Sequence, residues 1–148
     1  MTKFLTAMTI IGLFAFKSFA GFGDLQNLAE AIAQFKQVIT EMETIYNKGQ
    51  IQGNLVVISK MNARTAEVLK YCQVIEAKFA QKAPDVLTRK QEARNRAIEK
   101  AESLLDASDV ELRAAQVGLV RNLETTKYCL GLTSQLHTAI RASVSGGI

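Results

Sequence analysis

Tryptophan is absent, histidine and proline occur once each and cysteine twice, and these scarcities exclude several kinds of protein before any pattern is read. A single proline and few stretches of alternating apolar and polar residues argue against an extensive β-sheet. His137 with Cys72 and Cys129, neither of them in a Cys-x-x-Cys pair, cannot complete a four-ligand zinc site. Cys129 and His137, eight residues apart on one expected helix, are too distant for a thiol–imidazole pair. A glycine-rich phosphate loop is also lacking, because Gly21-Phe22-Gly23 and residues 49–53 do not follow strands. No residue stands out as catalytic, cofactor-binding or metal-binding, and the chain reads as a non-enzyme without a cofactor. Charges of both signs are interspersed, with no run of five or six of one sign. Together with the few aromatics this disfavours a nucleic-acid partner.

The N-terminus is rich in what the rest lacks. Met1-Thr2-Lys3 is short and positive, residues 4–16 are an apolar run, and Lys17-Ser18-Phe19-Ala20 places small residues where a signal peptidase reads them. That layout is a secretory signal, residues 1–20, cut between Ala20 and Gly21. The run of 13 residues falls short of the ~20 needed to cross a bilayer, so no stable membrane span is expected once the signal is removed. Lys3 and Lys17 leave with it, and the 18 basic residues fall to 16 against 14 acidic, reducing the net charge from +4 to +2. Residues 21–148 then make one domain, exported to the periplasm or cell surface of a bacterium. In such a compartment two cysteines favour a Cys72–Cys129 disulfide over two buried thiols. Lys-Tyr-Cys occurs twice, at 70–72 and 127–129.

What remains is helical periodicity. Leu25, Leu28, Ile32, Phe35, Ile39, Met42 and Tyr46 alternate at three and four residues, which predicts a helix over 24–48. Asp24 is placed to cap it, and Asn47-Lys48-Gly49 to stop it. The same spacing in Ile58, Met61, Thr65, Val68, Cys72, Ile75 and Phe79 predicts a second helix over 54–82, ended by Pro84. A third, over 85–105, is crowded with charge around an Ala93, Ala97, Ala101, Leu105 ridge, and its Arg89/Glu92 and Glu92/Arg96 spacings allow ion pairs. Arg89, Lys90, Arg94, Arg96 and Lys100 on it are the candidate interaction surface, set against the simpler reading of a solvated outer face. Ser108 with Glu111 forms a capping box for a fourth helix over 108–142, with Leu119, Leu123, Leu130, Leu132, Leu136 and Ile140 as its apolar sector and residues 143–148 as a frayed tail.

Geometry tests this layout. With ~1.5 Å of rise per residue, helices stacked down, up and down put Cys129 ~15 Å below Cys72, whereas a disulfide needs Cα atoms within ~7 Å. Either the connector at 106–108 climbs in extended form, or the charged helix stands outside the bundle. The second is preferred, because that helix has the least apolar surface to bury. The expected fold is therefore all-α, a bundle of three long helices with a shorter charged helical appendage.

The mature start, Asp24-Leu25-Gln26-Asn27-Leu28-Ala29-Glu30-Ala31-Ile32-Ala33-Gln34-Phe35, resembles the minor pilus-tip subunits of conjugative type IV secretion systems. Mature chains of that family open with an Asn-Leu-Ala segment entering a Gln-rich amphipathic helix. The resemblance continues through Gln37-Val38-Ile39 to Tyr46-Asn47-Lys48-Gly49-Gln50. It implies three long helices carrying a smaller helical appendage and a place at the pilus end, among secretion-apparatus or pilus subunits as protein partners. A small periplasmic inhibitor, immunity protein or helical chaperone is the alternative from another class.

Overall fold

The computed structural model describes residues 25–146; the expected secretory signal, its expected Ala20–Gly21 junction and the expected Asp24 cap lie outside the described residues. Four α-helices account for nearly all of that span: α1 (Leu25–Asn47), α2 (Leu55–Lys82), α3 (Pro84–Ser103) and α4 (Val110–Gly146).

Helix ends follow local chemistry. Gly49 at φ 71° turns the chain out of α1, a left-handed conformation that a Cβ would strain. A 3-10 turn at Gln50–Gln52 follows, and the Asn54 side chain caps α2 by accepting from the Val57 N–H at 3.2 Å. Pro84 ends α2 and occupies the first turn of α3, where its missing N–H costs nothing. The fourth helix departs from expectation at both ends. Its cap is Asp109, not Ser108: the Asp109 carboxylate accepts from the Leu112 N–H at 2.8 Å and its carbonyl from the Arg113 N–H. Asp109 stands three residues before that N–H, the spacing a side-chain cap requires, so α4 begins at Val110. It then runs to Gly146, four residues past the expected end, because no glycine or proline intervenes.

Paired contacts establish direction. Cys72 bonds to Cys129 and Asn62 reaches Ala115 and Asn122, so α2 and α4 run parallel. Helix α1 lies antiparallel to α2 because only residues 48–54 join them; Glu41 pairs with Arg64 and Met42 Sδ meets Thr65 Oγ1 across the seam. One core joins all the helices. Every residue of the expected α2 stripe is buried, Ile58, Met61, Thr65, Val68, Cys72, Ile75 and Phe79 alike. On α1 the buried sector is wider than the heptad. Leu28, Phe35 and Met42 are buried, Leu25, Ile32, Ile39 and Tyr46 are half-buried on one flank, and Asn27, Ala31, Gln34, Val38 and Ile45 close the other. α1 packs on α2 and α4 at once, so two neighbours share one helix surface. Buried Thr65, Thr126 and Thr133 return their hydroxyls to carbonyls four residues back, at 2.7, 2.6 and 2.7 Å.

The bundle is three long helices, with the shorter charged α3 laid on the outside against α2 and α4; Leu87 is its one fully buried residue. Arg94 lies over Tyr128 and Glu102 meets Arg121, which makes α3 antiparallel to α4 and ends it level with about residue 120. The start of α4 thus stands some ten residues higher, ~15 Å by helical rise. Residues 104–109 climb that distance, which is the ~15 Å by which simple stacking left the cysteines apart, and the Cα atoms of Cys72 and Cys129 stand 5.6 Å apart. Both routes to the bridge are therefore used: an outer charged helix and a climbing connector.

Candidate interaction surface

Five positions of α3 turn toward the body: Leu87 is buried and Gln91, Arg94, Ile98 and Ala101 are half-buried, at spacings of four and three; the helix ends at Ser103, two residues short of the expected end, and half-buried Leu105 follows in the connector. Of the expected ridge, Ala97, Ala101 and Leu105 are half-buried and Ala93 is exposed. Polar groups do much of the anchoring. The Tyr128 hydroxyl donates to Glu76 Oε2 at 2.6 Å, and Gln91 Nε2 approaches the same oxygen at 3.5 Å. Arg94 stacks its guanidinium 4.7 Å from the Tyr128 ring centroid, a cation–π contact, while its Nε donates to Asn95 Oδ1 at 3.2 Å. Burial, then the hydrogen bond to Glu76, push the Tyr128 phenol well above its usual range. At the other end Arg121 Nε donates to Glu102 Oε1 at 2.8 Å and Arg113 Nη1 to the Leu105 carbonyl at 2.8 Å.

The five candidate residues therefore divide. Arg89, Lys90, Arg96 and Lys100 are exposed, whereas Arg94 is half-buried beneath its own helix; it anchors α3 and is not part of an outward surface. Hydropathy assigns arginine to solvent, and only the position of Tyr128 on α4 reveals why this one turns in. The expected pairs Arg89/Glu92 and Glu92/Arg96 do not close: among the described residues the ion pairs are Arg64–Glu41, Lys70–Glu67, Arg121–Glu102 and Lys127–Glu124. Four cationic heads of α3 are left facing water.

Behind α3, Cys72 and Cys129 are buried, with 3% and 0% of their surface exposed, and the two Lys-Tyr-Cys triplets meet at their bond. With its sulfur in that bond, Cys129 is unavailable to His137. No group of three or more His, Cys, Asp and Glu side chains placed to hold a metal occurs among the described residues, and no helix among them is long and apolar enough to cross a membrane.

A second feature was not legible in the sequence. Glu43, Tyr46, Asn47, Ala101, Leu123 and Glu124 line a cleft of about 430 Å³ where the last turns of α1 and α3 meet the middle of α4. Burial, then the charge of Glu124, push the Tyr46 phenol up to about 12. The signal was diffuse, since Glu43 and Glu124 lie 81 residues apart and each reads as an ordinary surface charge. No family model, no curated protein and no solved structure matches this chain.

Proposed function

We propose that the protein is an exported, non-enzymatic structural or adhesive component of a type IV secretion or conjugation apparatus, resembling a minor pilin and acting by protein–protein docking. The observation that carries this reading is the division of labour in the fold. A disulfide-tied body of three long helices presents a short outer helix whose Arg89, Lys90, Arg96 and Lys100 find no carboxylate within ion-pair distance among the described residues. Such a helix offers a partner unshielded charge on a rigid support. The buried bridge accords with an oxidising compartment, where disulfides persist, and the resemblance of residues 24–50 supplies the apparatus.

Replacing Arg89, Lys90, Arg96 and Lys100 by glutamine tests the docking role. Folding, followed by circular dichroism and by the mass of the unreduced protein, is expected to be unchanged, and conjugative transfer to fall at least tenfold. Unchanged transfer would remove α3 as the working surface. Fractionation tests the setting: the protein should be recovered with sheared surface filaments, whereas recovery only as a soluble periplasmic monomer would favour an inhibitor, immunity protein or chaperone.

A further inference from the structure

The outer helix separates an anionic cleft from an outward face on which exposed Arg89, Arg96 and Lys100 stand beside exposed Glu92 and Glu99. On its inner side, the cleft of about 430 Å³ has Leu123 and Ala101 as apolar lining, Tyr46 as an aromatic wall, and the carboxylates of Glu43 and Glu124. The last turns of α1 and α3 both reach it, so the negative ends of two helix dipoles add to the carboxylates. Among the described residues no lining side chain is cationic. Lys127, itself exposed, meets Glu124 at 3.7 Å, and Glu43 has no cation within 4 Å among the described residues. Apolar walls below an anionic rim match a long aliphatic stem with a positive head, the shape of a lysine or arginine side chain.

The outward side of α3 carries that chemistry. Arg89, Arg96 and Lys100 are exposed at helical spacing, with exposed Ala93 between the first two. The small side chain of Ala93 allows close approach, and none of the three cations is in an ion pair among the described residues. They point away from the body because Leu87, Gln91, Arg94 and Ala101 turn toward it, so a chain cannot place its own stripe in its own cleft. We propose that a second copy of this chain seats its Arg89–Arg96–Lys100 stripe in the Glu43/Glu124 cleft. Donor and acceptor surfaces differ, so association is head-to-tail, and a dimer leaves one of each surface open for a further copy. This deepens the apparatus-subunit reading and supplies a way for the subunit to add in series.

Sedimentation velocity of the purified protein tests it. At about 20 mM salt, species larger than a monomer should grow with concentration, and roughly 0.5 M salt should abolish them by screening. Butylguanidinium should compete and butyrate should not, a measurement that needs no variant. The cleft variant Glu43→Gln/Glu124→Gln and the stripe variant Arg89→Gln/Arg96→Gln/Lys100→Gln should each be monomeric alone. Mixed one to one they should form a dimer and nothing larger, because only one complementary pair of surfaces survives. A wild-type monomer at millimolar concentration and low salt, association of either variant alone, or no dimer in the mixture would each overturn the proposal. The two readings fail separately. Self-association without any link to filaments or transfer removes the apparatus but keeps the contact, whereas a filament-bound protein that is monomeric when purified removes only the contact.

Discussion

Asn62 and Gly118 show how much one contact between helices can specify. The Asn62 amide donates to the Ala115 carbonyl at 3.1 Å and accepts from Asn122 at 3.1 Å, a bridge possible because Gly118 has no side chain. A Cβ there would stand 2.8 Å from Asn62 Nδ2. Gly118→Ala should therefore displace the amide and break bonds worth about 1 kcal/mol each, outweighing the up to ~1 kcal/mol that alanine adds to a helix. With Asn62→Ala already present, the same change should stabilise. Urea denaturation of the four proteins in this double-mutant cycle would show that reversal of sign. Gly49→Ala, which forces a Cβ into φ 71°, should cost ~1–2 kcal/mol in the same assay.

Tyr128 sets a pH dependence. Its phenol is raised above the ordinary 10.0 in the folded protein, first by burial and then by the bond to Glu76, so the folded state holds the proton more tightly than the unfolded chain. Stability from this group is fully present below about pH 10 and is lost as pH rises toward the folded value. Tyr46, raised to about 12, acts in the same direction between pH 10 and 12. Thermal unfolding should thus show a falling melting temperature above pH 10, with a shallower fall in Tyr128→Phe. That variant should also lose about 1.5–3 kcal/mol at pH 7, the usual range for a hydrogen bond to a charged group.

At the scale of the element, α3 differs from the others in how it is held. Leu87 is its one buried residue; Val86, Ile98 and Ala101 are half-buried, and polar contacts add Gln91 to Glu76, Arg94 on Tyr128, Glu102 to Arg121 and, just past its end, the Leu105 carbonyl to Arg113. Helices α1, α2 and α4 instead share fully buried Leu28, Phe35, Ile58, Ile75, Leu119 and Leu132. Local opening should begin with α3. Native-state hydrogen exchange should find α3 amides less protected than those around Cys72 and Cys129, and Arg94→Ala should lower protection in α3 while leaving the body unchanged. Periodicity made the four helices legible in the sequence, and the α2 stripe was right at every position because one broad sector of that helix is buried. The inward face of α3 was not legible, since Gln91 and Arg94 belong to it and hydropathy places both outside.

Across the whole molecule, the disulfide joins α2 to α4 over a sequence separation of 57. Closing a loop of that length restricts the unfolded chain by about 4 kcal/mol in the entropy model. Cys72→Ala/Cys129→Ala should lower unfolding free energy by roughly that amount in urea, with the largest gain in exchange where α2 meets α4. The candidate site was half legible: Arg89, Lys90, Arg96 and Lys100 were visible as exposed charge, but the Glu43/Glu124 cleft exists only once α1 and α4 are packed.

The sequence by itself determined several helix ends whose cause is local, as with the stop at Gly49 and Pro84 between two helices, although the cap of α4 is Asp109 and not Ser108. It also determined that Cys72 faces the interior. Tertiary structure alone decided that Arg94 turns inward, that the connector climbs, and that Cys129 reaches Cys72. Each of those depends on the distance and direction between helices far apart in the chain. A propensity or a spacing measures only neighbours along it.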